Sequence, residues 1–469
     1  MQGALGIHVL GRGFGETIVL EFPNGSVGLI DCCSPQLAIP GGASPSTHNP
    51  VLRFLADTLR AESLAFVGLT HPHEDHARGL SHVLSEYAGR IGQIWMFRAF
   101  QSDALTRLLR AMRLSSRRLP VEELLNERPG TFAFELVKVR DQVRQHCHTN
   151  KSDPDCFRDF SANDSFYLPN EPVSCTFLGP SDVLSMLYEA HLIDSLANAI
   201  DASGLGVDPQ WNPGSINHNL VSASLLLTYG RTKILLGGDM ELDAWDHVMK
   251  RQAAPPDSGP SVGCQLFKVS HHGSVTGIHP QLVEQLPVDG RPPMAILTPF
   301  NRHRHPLPTA AGLAQLLPHV SELFVTNVNE VRRALKKSNG EGKTSTVHDT
   351  GEVVAQAVPF SWSTAIRAHP ELLGALNQNV TQVEAPVAVP TSVPSIPLAW
   401  YSDIQANPKL WSLLSPVLQQ EFSAKVPTPA METDCRVSFY FNASGEELRE
   451  HRYVGSAAGT MALPLETTG

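Results

Sequence analysis

The chain has few of the features that would place it outside the cell or in a membrane. It has seven cysteines in 469 residues. They are scattered and odd in number, so no disulfide framework is expected and a reducing compartment fits best. The first residues (MQGALGIHVLGRG) lack a basic segment followed by an apolar core, so no signal peptide is expected. No apolar run approaches the ~18 residues of a membrane span. These readings together point to a cytoplasmic protein without a membrane partner. Charge is also sparse, at 17% of residues, and the net charge is −10. An acidic balance argues against broad, non-specific binding to nucleic acid, although a locally basic groove remains compatible with it. No internal repeat is present. No Ser-His-Asp pattern for a protein nucleophile stands out either. The 42% hydrophobic content is enough for a full core.

Against that plain background one stretch is dense in chemistry: Thr70-His71-Pro72-His73-Glu74-Asp75-His76, directly behind the apolar run Leu64 to Leu69. In extended backbone His71 and His73 point the same way. Asp75 and His76 follow as the chain turns and aim at a neighbouring point. This spacing suits two metal ions side by side, His71 and His73 on the first and Asp75 and His76 on the second. Imidazole and carboxylate donors suit zinc, with manganese as the alternative.

The motif also carries a resemblance. With Ile7 to Asp31, Leu69 to Leu80, Leu235 to Asp239 (LLGGD), Lys268 to Ser274 (KVSHHGS) and Ala295 to Pro306 in the same order, the chain resembles the metallo-β-lactamase superfamily. Within it, these blocks are similar to the soluble hydrolase domain of competence-type DNA-uptake channels. The similarity covers most of residues 1 to 310, with a divergent middle. It implies an α/β fold: an αββα sandwich with the metal site at one sheet edge, here with a helical insertion and a small C-terminal appendage.

The resemblance also implies roles. Asp31 supports a ligand histidine from behind, as a carboxylate accepting its second N–H would. Asp239 bridges the two ions, although Gly237 stands where this branch usually has a small hydroxyl residue. Either His271 or His272 completes the second metal, and the other faces substrate as proton donor or phosphate contact. His218 is a third ligand of the first metal, or Asn219 beside it contacts substrate. Ser274 offers hydrogen bonds to an anion. Asn301 and His305 stand at the rim, His305 as a substrate or supporting group. The expected chemistry is hydrolysis by a hydroxide bridging two divalent ions, with Asp75, His271, His272 and His305 as the catalytic set.

Three functions follow as expectations. The first is a phosphodiesterase or nuclease on DNA or RNA. The second is a hydrolase of a small-molecule phosphoester, ester, thioester or amide. The third is a non-catalytic platform that recruits a protein partner through its C-terminal appendage.

The remaining organisation is coarser. Apolar, β-prone runs at Ile18 to Phe22, Val27 to Ile30, Lys233 to Leu236, Leu323 to Val328, Val353 to Val358 and Val437 to Phe441 are expected strands, with a tight turn at Pro23-Asn24-Gly25, a helix-like piece over Pro408 to Phe422, and Lys336 and Lys337 in a loop. A hydrolase domain is expected over residues 1–365, with residues 100–170 as a divergent, partly helical insertion. Within the insertion Arg107, Arg110, Arg113, Arg117 and Arg118 form a basic stripe, read as a solvated face or as a lid for a phosphate backbone. Residues 366–398 read as a proline-rich linker, and 399–469 as a small appendage with a frayed tail. Gly11, Gly13 and Gly15 form a glycine-rich bend. No helix start follows it, so a plain turn is expected rather than a phosphate cradle.

Overall fold

The computed structural model describes residues 3–34, 49–102, 104–105, 107, 132–151, 153–162, 164–168, 170–199, 216–253, 261–301, 306–338, 436–444 and 459–461. All of them belong to one compact unit. The linker, the expected helix at 408–422 and the expected strand at 353–358 lie outside the described residues.

The first half of the chain opens with β1 (Leu5–Leu10), β2 (Thr17–Glu21) and β3 (Val27–Ile30). The expected turn at Pro23-Asn24-Gly25 joins the last two, closed by the Phe22 N–H donating to the Ser26 carbonyl at 2.9 Å. Helix α1 (Pro50–Arg53) is capped by the Asn49 side chain and runs into a π turn, Phe54–Thr58. Next come β4 (Leu64–Leu69), the short α2 (Glu74–Ala77), α3 (Leu80–Glu86) and β5 (Ile91–Phe97). The insertion contributes α4 (Phe132–Thr149), β6 (Phe157–Phe160) and β7 (Ser165–Tyr167).

The second half holds β8 (Val173–Gly179), α5 (Asp182–Ala199), β9 (Ser224–Tyr229), β10 (Thr232–Leu236), α6 (Leu242–Gln252) and β11 (Leu266–Lys268). It continues with α7 (Pro280–Gln285), β12 (Met294–Leu297), α8 (Ala310–Leu316), β13 (Glu322–Val325) and α9 (Val328–Ser338). The C-terminal stretch adds β14 (Arg436–Phe441) and β15 (Gly459–Met461).

These strands form two mixed sheets, ordered β14-β1-β2-β3-β4-β5-β6 and β15-β13-β12-β11-β10-β9-β8-β7. Their facing sides share one apolar cluster, fed by period-two alternation. Ile7 and Val9 of β1, Ile18 and Leu20 of β2 and Phe66 of β4 meet Leu225 and Leu227 of β9, Ile234 of β10 and Ile296 of β12. The intervening residues Val19, Leu29 and Val67 turn outward, where Val51, Leu55, Val83, Val139 and Tyr188 cover them from the helical side. On the second sheet, α6, α7 and α8 are the crossovers between parallel strands, and they bury Trp245, Leu282 and Leu313. The result is an αββα sandwich.

Two findings differ from the sequence reading. A strand was expected to run from 323 to 328, with Lys336 and Lys337 in a loop. Instead β13 ends at Val325, Asn327 accepts from the Glu330 N–H at 3.2 Å, and α9 begins. Its apolar residues Val331, Ala334 and Leu335 follow helical spacing and are buried. The C-terminal strands are also bound into the sandwich. β14 pairs antiparallel with β1 and β15 antiparallel with β13. Val437, Phe439 and Phe441 of β14 join the core between the sheets.

The geometry inside the sandwich is tight around Gly28. Its Cβ position lies 2.3 Å from the Phe66 ring. That ring stacks on Trp95 at 3.5 Å, with 9° between the planes, and has nowhere to move. Gly28→Ala is therefore expected to cost about 1–3 kcal/mol by overpacking. Urea denaturation would measure this, and an unchanged midpoint would contradict it.

Candidate metal centre

The site forms where the parallel halves of both sheets end. β3, β4 and β5 run parallel in the first sheet, and β10, β11, β12 and β13 in the second. Asp31 follows β3, Thr70 to His76 follow β4, Asp239 follows β10, Ser270 to His272 follow β11, and Thr298 follows β12. Carboxyl ends of parallel strands collect loops at one edge, and here that edge belongs to both sheets at once.

Asp31 organises the first set. It adopts a left-handed backbone conformation, with φ 58°. One carboxylate oxygen accepts the Thr70 N–H at 2.7 Å. The other accepts the Thr70 hydroxyl and lies 2.7 Å from His76 Nδ1. A carboxylate can only accept, so His76 carries a proton on Nδ1 and directs Nε2 elsewhere. That Nε2 lies 3.4 Å from Asp239 Oδ1 and 3.6 Å from Asp75 Oδ2. Both His76 Nε2 and Asp239 Oδ1 are buried with no hydrogen-bond partner.

Two left-handed residues deliver the second set. His271 and His272 have φ 44° and 51°, a pairing that side chains with a Cβ avoid unless their surroundings impose it. The His271 N–H donates to the Gly238 carbonyl at 2.9 Å, which pins the turn. His272 Nδ1 lies 3.0 Å from the Thr298 carbonyl, an acceptor, and so carries the proton. Its Nε2 lies 3.1 Å from Asp75 Oδ2 and 3.7 Å from Asp239 Oδ2. His271 turns the other way, with Nδ1 3.3 Å from Glu241 and Nε2 3.5 Å from the Asn219 amide.

Donor atoms thus gather, among the described residues, into one group of Asp75, His76, Asp239 and His272 and another of His71, His73 and Asp239. Within each group they lie within 4.8 Å of one another. Asp239 belongs to both. A further group, Glu16, Asp31 and His76, is largely closed by the Asp31 hydrogen bonds to Thr70 and His76.

Electrostatics follow from burial. Desolvation holds the His71 and His73 imidazoles below their ordinary value, leaving them neutral. Burial also pushes His76 down, but Asp239, Asp75 and Asp31 together carry it well above the usual range. Asp75 is drawn to about 2, because His76 and His272 outweigh its burial. Asp239 falls well below the carboxylate range against its own desolvation, through the same two histidines. Burial lowers His271, yet Glu241 and Asp239 bring it above the ordinary value. The chemistry of the set fits a divalent ion: neutral imidazoles at His71 and His73, ionised carboxylates at Asp75 and Asp239, and a His76 drawn to a proton by carboxylates that a metal cation would otherwise satisfy.

The other expected residues are placed as follows. His218 packs edge-on against His73 with ring centroids 5.2 Å apart, and its Nδ1 is 2.8 Å from the Tyr188 hydroxyl. Burial lowers it to about 3. Asn219 is buried beside His271. The Ser274 hydroxyl is 3.0 Å from that of Thr276, which donates to Glu241 at 2.9 Å. Asn301 is tied to the glycine bend, its N–H donating to the Gly13 carbonyl and its amide to Glu330 at 2.7 Å. His305 lies outside the described residues, as do Arg110, Arg113, Arg117 and Arg118, whereas Arg107 is exposed.

The sequence reading missed the pair behind the cluster. Lys268 Nζ meets Glu16 Oε2 at 2.5 Å, both side chains 1% exposed or less. Glu16 also accepts the Thr298 hydroxyl at 2.6 Å, and Thr298 in turn holds His272. The signal was present: one lysine inside the apolar run Leu266 to Val269. Lys268→Met strands a buried carboxylate and is expected to destabilise the fold by about 3–5 kcal/mol. Glu16→Gln in the same chain should restore most of that loss. Denaturation of the two variants checks this, and equal stabilities would contradict a paired charge.

No family model matches the chain, and no curated protein matches it in sequence. Among solved structures it is similar to a mutant of the CmlA β-hydroxylase, at 12% identity and a TM-score of 0.27, covering 57% of this chain and 35% of that one. The chain thus spans about a third of that neighbour's length. It is also similar to zinc-bound PqqB from Methylobacterium extorquens, at 12% identity and a TM-score of 0.26, covering 61% of this chain and 88% of that one. The class of protein that fold and site define is an αββα sandwich with a buried His/Asp cluster at one sheet edge, able to hold divalent metal.

Proposed function

We propose that the chain is a metal-dependent hydrolase of the metallo-β-lactamase superfamily, acting on phosphodiesters through two divalent ions, with zinc the ion of choice. One observation carries the reading: six side chains with metal-ligating atoms, His71, His73, Asp75, His76, Asp239 and His272, converge, with His76 Nε2 and Asp239 Oδ1 buried and without a hydrogen-bond partner. In this proposal His71 and His73, with His218 beside them, would hold one ion, Asp75, His76 and His272 would hold another, and Asp239 belongs to both donor groups. Divalent metal bound there would supply Lewis acidity and a water of lowered pKa.

The chain's own residues do the rest. Asp31 and Thr298 fix the tautomers of His76 and His272. His271 stands at the rim, held by Glu241 and 20% exposed. Its raised affinity for a proton suits donation to a leaving alkoxide. Asn219, next to it, orients the ring or touches substrate. The phosphodiester preference rests on the resemblance of its sequence blocks to the uptake-channel hydrolase domain. A nucleic acid is the expected substrate on that basis.

The net charge of −10 favours a second reading, a small phosphoester or ester as substrate. The two separate in a cleavage assay on single-stranded and duplex DNA and on RNA, with zinc or manganese. Metal-dependent cutting should fall at least about a hundredfold in Asp75→Ala/His76→Ala. Cutting that survives in the double variant would overturn the assignment of the site. A protein that binds metal and leaves every nucleic acid intact would direct the assay to small esters.

A further inference from the structure

The glycine-rich bend, a plain turn by its sequence, delivers Glu16 behind the donor cluster. Gly15, at φ 72°, packs so closely that a Cβ there would sit 2.0 Å from the Asp75 carbonyl oxygen. The Glu16 N–H donates to that same oxygen at 3.1 Å. The bend is pinned from outside as well. The Arg12 carbonyl accepts from the Asn327 amide at 2.8 Å, the Gly13 carbonyl from the Asn301 N–H at 2.8 Å and the Phe14 carbonyl from the Cys33 thiol at 3.0 Å. Glu16 therefore enters the site from a loop with little freedom, as a supporting group must.

From there its carboxylate reaches His272 through one hydroxyl. Glu16 Oε2 accepts the Thr298 O–H at 2.6 Å, and Lys268 Nζ, 2.5 Å from the same oxygen, keeps Glu16 an acceptor. A hydroxyl has one proton. With that proton given to Glu16, Thr298 Oγ1 can only accept from His272 Nδ1, 3.1 Å away. Nε2 is then the ring atom turned to Asp75 and Asp239. The same three-part chain occurs a second time in the site. Asp31 Oδ2 accepts the Thr70 O–H at 2.7 Å, and Thr70 Oγ1 lies 3.0 Å from His71 Nδ1. Both threonines directly follow a parallel strand, β12 and β4, and the two acids and two threonines are at most 2% exposed. One chain ends in the donor group of Asp75, His76, Asp239 and His272, the other in that of His71, His73 and Asp239. Asp31 also meets His76 directly, so each hydroxyl is the part that serves one group alone.

We propose, on the reading of this cluster as a metal centre, that Glu16 and Thr298 are positioning residues for the ion of the Asp75, His76, Asp239 and His272 group. The Glu16 carboxylate acts through the Thr298 hydroxyl to orient His272 and to raise its basicity as a ligand. An imidazole whose second N–H meets an anionic relay is a stronger ligand than one left to a neutral acceptor. The Thr298 carbonyl, 3.0 Å from the same Nδ1, is such a neutral acceptor. Loss of the hydroxyl alone therefore keeps the tautomer and removes the influence of the charge.

Titration of the full-length chain with cobalt(II), followed by visible absorption, tests this. Two binding steps are expected. Thr298→Val should weaken one of them by about tenfold or more, whereas Thr298→Ser, which keeps the hydroxyl, should stay within about threefold of the unsubstituted chain. Glu16→Gln/Lys268→Met removes the charge without leaving a buried ion unpaired, and it should weaken the same step. Thr298→Val added to that pair should cost little more, because both changes act through one relay. Thr70→Val should weaken the other step. Thermal melts report folding, and a folding defect in Thr298→Val leaves the Glu16 and Lys268 variant to test the same relay. Folded Thr298→Val that binds both ions as tightly as the unsubstituted chain would overturn the proposal. So would serine at 298 as weak as valine, which would make the residue a matter of packing. An unsubstituted chain that takes up no cobalt would refute the metal centre itself, and the relay with it.

Discussion

Buried negative charge is the constraint on which the rest of the structure depends. Glu16, Asp31, Asp75 and Asp239 are all at most 8% exposed and lie around one sheet edge, and Lys268 is the buried lysine among them. A protein does not remove that many carboxylates from water without a compensating cation. Lys268 answers Glu16. Thr70 and His76 answer Asp31 by hydrogen bonding. Asp75 and Asp239 are left facing imidazole nitrogens, which is the arrangement of a metal site.

The fold makes this concentration possible. Each sheet is parallel on the side that feeds the site, so chain directions agree and the loops after β3, β4, β10, β11 and β12 emerge together. Apolar packing joins the two sheets, with Trp95 of the first edge-on to Phe166 and Phe177 of the second. The strained backbone at Asp31, His271 and His272 is then imposed by neighbours rather than chosen locally. Strand β14, far along the chain, closes the first sheet against β1 and brings Arg436 to a cavity beside the bend. Among the described residues no helix is long and apolar enough to cross a membrane.

Much of the fold was legible because its signals are local. The apolar runs at 18–22, 27–30, 64–69 and 233–236 are strands to within a residue or so. The candidate donors at 71–76 were legible for the same reason, being contiguous. What the sequence hid is relational. Of two adjacent histidines, which one turns towards Asp75 depends on the Gly238 carbonyl and on Thr298, residues distant in sequence. Helix α9 was hidden because Val325 and Val328 read as one β-prone run until Asn327 caps the turn between them. The Glu16–Lys268 pair spans most of the sandwich in sequence, so neither charge announced its partner. That the glycine bend, Arg53 and Arg436 line one cavity is likewise set by topology alone.

The most direct measurement of the central claim is the metal content of the purified chain by mass spectrometry, with X-ray absorption at the edge of the metal found. The account expects close to two divalent ions per chain, coordinated by nitrogen and oxygen at ~2.0–2.2 Å if they are zinc. A chain that stays folded and binds no divalent ion, even when zinc or manganese is supplied, would contradict it.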